Sequence, residues 1–240
     1  MAAGIALLTA SIDSPAGAAE QEFDVASIRP SDPDATTPPP QMGPLVFVQR
    51  ARLKYLIGVA YKLEGYQIIG GPKWIDERTY DVQAKTETPA SPAEIRLMLA
   101  ALLRKRFQLK VHNDSRNMSV YALTVAAKGL KLKEAERDTP RDGRGAIQVG
   151  SSDVIGRGVT MGLLARYLTI ELGRPVLDGT GLDGHYDFVV VFGETKPPDA
   201  SVESFGSLSY AIKDLGLKLE SKKASVPVLI VDSAEPPSAN

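Results

Sequence analysis

The order of apolar and turn residues in the first half of the chain recurs in the second half. The stretch from 53 to 82 opens on apolar residues at helical spacing and passes through Gly70-Gly71-Pro72 to Tyr80-Asp81-Val82. The stretch from 161 to 188 opens in the same way and passes through Asp178-Gly179-Thr180 to Tyr186-Asp187-Phe188. Order and spacing are kept with only small gaps, which chance agreement among apolar residues would not preserve. The repeat predicts two lobes with similar folds.

The lobes are predicted at residues 20–130 and 146–235, with a linker at 131–145 and a disordered tail at 236–240. In each lobe, helical and alternating patterns succeed one another as strand, helix, strand, strand, helix, strand, strand. Two hairpins are expected, one turning around residues 113–117 and one within 217–231. The predicted fold class is α+β, with two tandem pseudo-repeat lobes that each pack two helices on one face of a mainly antiparallel sheet.

The second helix of the first lobe has the clearest start signal in the chain. Ser91 can cap it, Pro92 suits the first helical position, and Glu94 stands three residues after the serine, as a capping box requires. Its apolar residues Ile95, Leu99, Leu102 and Leu103 recur at helical spacing, which predicts one buried face. The matching helix of the second lobe is expected at about 202–215.

Composition excludes several classes of function. With 43% hydrophobic and 24% charged residues the chain is typical of soluble globular proteins, and its net charge of -1 gives no reason to expect nucleic acid as a partner. The absence of cysteine excludes thiol catalysis, disulfides and cysteine metal sites. There are only two histidines, so no metal and no cofactor is expected.

The N-terminus has features of an export signal. Residues 1–10 are mostly apolar, and Ala16-Gly17-Ala18-Ala19 has the small residues of a cleavage site, although the usual basic start is missing. We interpret residues 1–19 as a signal peptide, the alternative being a disordered alanine-rich tail. No other stretch reaches the length of a membrane span, so the mature chain is expected in the periplasm or outside the cell.

The repeated Tyr-Asp pairs are the first candidate site residues. Asp81 and Asp187 could form a paired carboxylate site between the lobes, as acid–base chemistry can use. The structural alternative is that Tyr80 and Tyr186 pack inward while each aspartate faces water or holds the preceding turn. Duplicated residues usually maintain a fold, so the structural interpretation is favoured.

The loops near Trp74 and His185 are the second group of candidates. Trp74 follows Gly71-Pro72, and an exposed tryptophan in a loop is a frequent binding hot spot, although such a residue more often covers a core. His185 follows a glycine-rich turn that lacks the lysine of a phosphate-binding loop, and it is more often a surface histidine than a ligand.

Several motifs together resemble a family of secreted proteins of unknown function that is abundant in acidobacteria. They are Phe23 to Pro30, Gly71 to Ile75, Tyr80 to Lys85, Arg106 to His112 and Val226 to Asp232. In that family the domain also occurs fused to antirepressor-type membrane metallopeptidases, which implies a sensory or binding role. This chain has no His-Glu-x-x-His motif, so the peptidase activity does not carry over. The segment 173–177 also resembles, more weakly, the short N-terminal domain of secretins and TonB-dependent receptors.

These observations favour a non-enzymatic binding or interaction module at the cell envelope, with an envelope protein as the candidate partner. The first alternative is an envelope hydrolase that uses the paired carboxylates. The second is a soluble sensor domain that works with a membrane signalling protein.

Overall fold

The computed structural model describes residues 22–32, 39–135, 145–150, 153–191 and 212–237 of the chain. These residues form two compact units. The first unit comprises the described residues up to 116 together with 226–237, and the second comprises those from 117 to 225. Both units are α+β with mainly antiparallel sheets, which confirms the predicted α+β class. The pseudo-repeat, with two helices on one face of the sheet in each lobe, stays a prediction. The predicted signal peptide at 1–19 lies outside the described residues.

The first unit is built on a four-stranded antiparallel sheet of order β1-β5-β3-β2. Its elements in chain order are β1 (Val25–Pro30), β2 (Gln41–Met42), β3 (Leu45–Arg52), α1 (Leu53–Tyr61), β4 (Ile68–Gly70), β5 (Thr79–Lys85), α2 (Pro92–Arg106) and the start of β6 (Lys110–Val125). Short 3₁₀ helices at Gly65–Gln67 and Lys73–Asp76 flank β4.

The second unit contains a four-stranded antiparallel sheet of order β7-β11-β9-β8. Its elements are β7 (Lys133–Glu134), β8 (Ala146–Val149), β9 (Asp153–Val159), α3 (Met161–Leu172), β10 (Val176–Asp178), β11 (Tyr186–Val191) and the start of β12 (Leu217–Ser233). Residues 212–214 are helical, and the rest of the helix predicted at 202–215 lies outside the described residues apart from Leu215. No helix in the described ranges is long and apolar enough to cross a membrane.

The start of α2 is the one that its sequence predicts. Ser91 Oγ accepts a hydrogen bond from the Glu94 N–H at 3.3 Å, and the Glu94 carboxylate accepts one from the Ser91 N–H at 2.7 Å. Ile95, Leu99 and Leu103 are buried on the inner face of this helix. The local capping signal and the apolar periodicity agree, so this helix could be predicted in full.

The two predicted hairpins are wrong, because each is a single long strand. β6 has 16 residues and β12 has 17, and neither turns. Residues 113–117 have a turn-like polar composition but no glycine or proline, so nothing in their backbone forces a reversal. Polar side chains are equally suited to the exposed faces of an extended strand.

Both long strands cross the boundary between the units. Residues 121–123 of β6 pair in parallel with β10 in the second unit, and residues 229–231 of β12 pair in parallel with β4 in the first. The predicted lobe boundaries, 20–130 and 146–235, therefore differ from the boundaries of the compact units. Each unit takes the last part of one long strand from the other half of the chain.

Each unit has its own apolar core. In the first, Leu56, Leu99 and Phe107 pack with Leu229 and with other buried residues of its helices and strands. In the second, Leu164, Leu168 and Phe188 pack with Leu123 of β6. In both units three strands, a helix and two further strands follow one another, and the four-stranded sheets have the same strand order. Descent of the two halves from one duplicated ancestor stays a prediction.

Candidate functional site

Trp74 covers the core of the first unit. It lies in the 3₁₀ turn Lys73–Asp76 and is half-buried. Its ring stacks on Phe107 at a centroid distance of 6.2 Å and meets Tyr80 edge-on at 6.3 Å. Tyr80 and Phe107 also meet edge-on at 5.1 Å, and both are buried. These ring contacts give Trp74 a packing role, and a role in binding stays a prediction.

The glycines before Trp74 allow a close approach to β12. Gly71 has a φ of 78°, and a Cβ there would lie 2.8 Å from the Ile75 side chain and 2.9 Å from that of Val231. Only glycine combines this conformation with this contact. Pro72 precedes the 3₁₀ turn as its N-cap. The segment Gly71-Pro72 thus holds the edge of the core in place.

Asp81 stabilises a β-bulge in the first unit. The pairing of β3 with β5 shifts between Val48 and Ala51, where two residues of β3 oppose one residue of β5. Arg50 in this bulge has a φ of 52°, and its N–H donates to Asp81 Oδ1 at 3.0 Å. Ser31 Oγ donates to the same oxygen at 2.6 Å. The carboxylate therefore stabilises a strained backbone and joins three segments of chain.

Asp187 does the same in the second unit. The pairing of β11 with β9 shifts between Tyr186 and Phe188, opposite Gly156 and Val159. Gly158 has a φ of 58°, and its N–H donates to Asp187 Oδ1 at 2.6 Å. Tyr186, like Tyr80, is buried. Both Tyr-Asp pairs thus place the ring in a core and the carboxylate on a bulge.

The two histidines are both exposed. His185 lies just before β11, and its carbonyl accepts a hydrogen bond from the Ala135 N–H at 2.8 Å. His112 Nδ1 lies 2.9 Å from Asp232 Oδ1, between neighbouring strands of the first unit. Across the described ranges, no three side chains of histidine, aspartate or glutamate are grouped so that they could hold a metal ion.

A groove lies between the start of β1 and the second half of α2, and none of the candidate site residues lines it. Its volume is about 400 Å³. Its apolar lining consists of Phe23, Val25, Ala26, Met98 and Leu102, and its charged lining of Glu22, Asp24, Lys105 and Arg106. Most of the apolar lining is buried, but Val25 is 66% exposed. The groove combines an apolar floor with charged residues at its rim, as ligand-binding clefts commonly do.

The backbone of β1 borders this groove, because β1 is an edge strand of its sheet. The Ser31 N–H, just past the end of β1, donates to the carbonyl of Thr79, the first residue of β5, whereas the Ala26 carbonyl accepts from Arg106 Nη2 at 3.1 Å. Successive residues of a strand point their backbone groups to opposite sides. Ala26 and Ile28 therefore direct their N–H groups away from β5. Pro30 alternates in the same way as Ala26 and Ile28, so its missing N–H would also point away from β5. An edge strand tolerates proline at such a position.

One ion pair on the rim joins the two walls of the groove. Lys105 Nζ contacts Glu22 Oε2 at 2.7 Å, which links α2 to the residues that precede β1. Asp24 Oδ2 accepts from the Glu87 N–H at 2.7 Å. These contacts fix the two walls of the groove. The groove could not be predicted from either element alone, because α2 and β1 are far apart in the chain.

A comparison with protein families assigns the chain to a family. A family model matches residues 54–234, which is most of the sequence. The chain belongs to the family described as proteins of unknown function, DUF3738. The matched range includes α2, Trp74 and both Tyr-Asp pairs, whereas β1 precedes it. Neither the curated proteins nor the solved structures contain a significant match to the chain.

Proposed function

We propose that this protein is a non-enzymatic binding module that accepts an extended segment of a partner protein along β1. The observation that carries the proposal is the groove between β1 and α2, which places an outward-facing strand edge beside an apolar floor. Strand addition of this kind draws affinity from main-chain hydrogen bonds and specificity from pockets for alternate side chains.

The geometry of the groove suits such a partner strand. The N–H groups of Ala26 and Ile28 point away from β5, so a strand beside β1 would accept hydrogen bonds from them. Alternate side chains of that strand would face Met98 and Leu102, which lie one turn apart on α2. Pro30 lacks an N–H and would end the pairing at that point.

The two candidate carboxylates support a role without catalysis. Asp81 accepts two hydrogen bonds and Asp187 accepts one, all from groups that belong to their own unit. Their oxygens thereby stabilise residues with positive φ, which is a structural task. A hydrolase in which these carboxylates act on a substrate would have to give up those bonds.

We place the protein in the periplasm or outside the cell, with an envelope protein as partner. The support is the apolar start of the chain and the Ala-x-Ala pattern at residues 16–19. Fractionation of cells that produce the tagged full-length chain tests this. Recovery of the chain with an unprocessed N-terminus in the cytoplasm would refute the location.

Selection from a displayed library of linear peptides tests the binding mode. The matched variants are Ala26→Pro, which removes an outward-facing N–H while leaving the pairing of β1 with β5, and Ala26→Ser, which keeps the N–H. We expect selected peptides to bind the serine variant like the wild type and the proline variant at least about tenfold more weakly, since a main-chain hydrogen bond is lost and the ring obstructs the edge.

Hydrogen exchange provides a second measurement on the same complexes. Bound peptide should slow exchange at the amides of Ala26 and Ile28, whereas Ser27 and Arg29 already face β5 and should change little. Peptides that bind the proline variant as well as the wild type, or that protect no amide in β1, would refute strand addition.

A further inference from the structure

The outer face of the four-stranded sheet in the second unit carries an apolar row. Val189 is 64% exposed and Val191 is 69% exposed, and they alternate along β11 with the buried Phe188 and Val190. Ile155 of β9 pairs directly with Val189 and is half-buried. We call Ile155, Val189 and Val191 the valine face. Branched apolar side chains are thus grouped on the side of the sheet that faces solvent.

The first unit shows that this fold does not require such a face. Its sheet has the same strand order, and β5 occupies the place that β11 has in the second unit. After the Tyr-Asp pair, the outward positions of β5 hold Gln83 and Lys85, where β11 holds Val189 and Val191. Exposed apolar groups that folding does not need commonly mark an interaction surface.

Charges are distributed unequally at the two ends of the valine face. At one end Lys133 of β7 lies opposite Asp187 in the strand register, and the exposed Arg157 lies in the bulge opposite the same residue. At the other end Asp153 pairs with Val191. Lys133 and Arg157 supply two positive charges beside the one negative charge of Asp187, so the first end has an excess of positive charge, whereas Asp153 makes the second end acidic.

We propose that the valine face is a homodimer interface. A two-fold axis through Val189 would set the two β11 strands antiparallel, so that the apolar rows meet and the basic end of each copy lies over Asp153 of the other. Such an isologous contact uses one self-complementary patch twice. This contact buries the three apolar side chains and pairs opposite charges at both ends. The valine face is thus complementary to itself, so a second copy of the chain suffices as its partner.

Sedimentation equilibrium of the full chain over a range of concentrations tests the dimer. Val189→Lys places like charges together near the axis, so the dimer dissociation constant should rise at least about tenfold. The matched control is Gln83→Lys, which makes the same change at the corresponding outward position of the first unit and should leave the constant unchanged. A wild-type chain that stays monomeric, or a dimer equally weakened by both variants, overturns the proposal.

Charge reversal provides a test that does not depend on the apolar row. Arg157→Asp and Asp153→Arg should each weaken the dimer, while the double variant should recover most of the affinity, because opposite charges again face each other. Circular dichroism checks that each variant is folded. Failure of the double variant to recover any affinity, with its fold intact, would refute the two-fold arrangement.

Discussion

The carboxylate of Asp187 stabilises the backbone of Gly158, whose N–H donates to it at 2.6 Å from a residue with positive φ. Asp81 and Arg50 repeat this relationship in the other unit. In each case the aspartate follows a buried tyrosine and lies opposite a bulge. In both units the tyrosine of the Tyr-Asp pair packs in the core, and the aspartate stabilises the bulge of the neighbouring strand.

Replacement of Asp187 by alanine should lower the free energy of unfolding by about 1–2 kcal/mol, because a hydrogen bond to a charged acceptor is lost. Urea denaturation followed by circular dichroism measures this. Asp183→Ala, in the exposed turn before β11, is the control and should change stability by less than about 0.5 kcal/mol. Equal effects of the two substitutions would contradict the structural role of Asp187.

Gly71→Ala should destabilise the protein by about 1–3 kcal/mol, since the new methyl group would overlap Ile75 and Val231 at a residue with positive φ. Thermal unfolding reports the change. Gly43→Ala is a suitable control, because a methyl group there would meet no atom within 4 Å. If both variants unfold at the temperature of the wild type, the close packing at Gly71 is wrong.

Alkaline pH should destabilise the first unit through two tyrosines. Burial raises the pKa of Tyr66, with a further rise from Glu64, and burial also raises the pKa of Tyr80 although Arg78 opposes it. Because each tyrosine has a higher pKa in the folded chain than in the unfolded chain, its contribution to the free energy of unfolding is complete below the unfolded-state pKa near 10. That contribution is lost as pH rises through the folded-state pKa.

The measurement is the urea midpoint between pH 8 and pH 12. We expect the midpoint to fall above about pH 10 in the wild type and to fall less in a Tyr66→Phe, Tyr80→Phe double variant, which has no phenol at these positions. An identical alkaline decline in both proteins would assign the effect to other groups.

Phe107→Ala should cost about 3–5 kcal/mol, because a fully buried aromatic ring is removed from a core. Trp74 is the only tryptophan and stacks on that ring, so its fluorescence in the folded variant should shift to longer wavelength as water reaches it. Tyr55→Ala, at an exposed position of α1, is the control and should leave the emission of Trp74 unchanged. An unshifted emission in Phe107→Ala would contradict the stacking.

Local signals predicted the helices better than the long strands. Ser91 and Glu94 specify the start of α2 because capping depends on neighbours in sequence. The extended course of residues 113–117 depends instead on pairing with distant strands, which overrides a turn-like composition. The same limit applies to the bulges, since a positive φ at Arg50 becomes favourable only when Asp81 of another strand is placed to accept its N–H.

The candidate site was harder to predict than the fold. Trp74 and His185 are candidate site residues in the sequence, yet Trp74 packs on Phe107 and His185 lies exposed just before β11. The groove arises where Ala26 and Leu102 come together, and neither residue type signals a site. A surface made from ordinary residues of two distant elements can be seen only once the chain is folded.

The passage of β6 and β12 from one unit into the other makes the halves of this chain interdependent. A fragment ending at residue 135 would lack Leu229 and Val231, and one beginning at 145 would lack Leu123. Neither piece could complete an apolar interior by itself, whereas a mixture of the two could reassemble. In evolution, neither half could be lost by a simple deletion, because the remaining half would keep an incomplete apolar core.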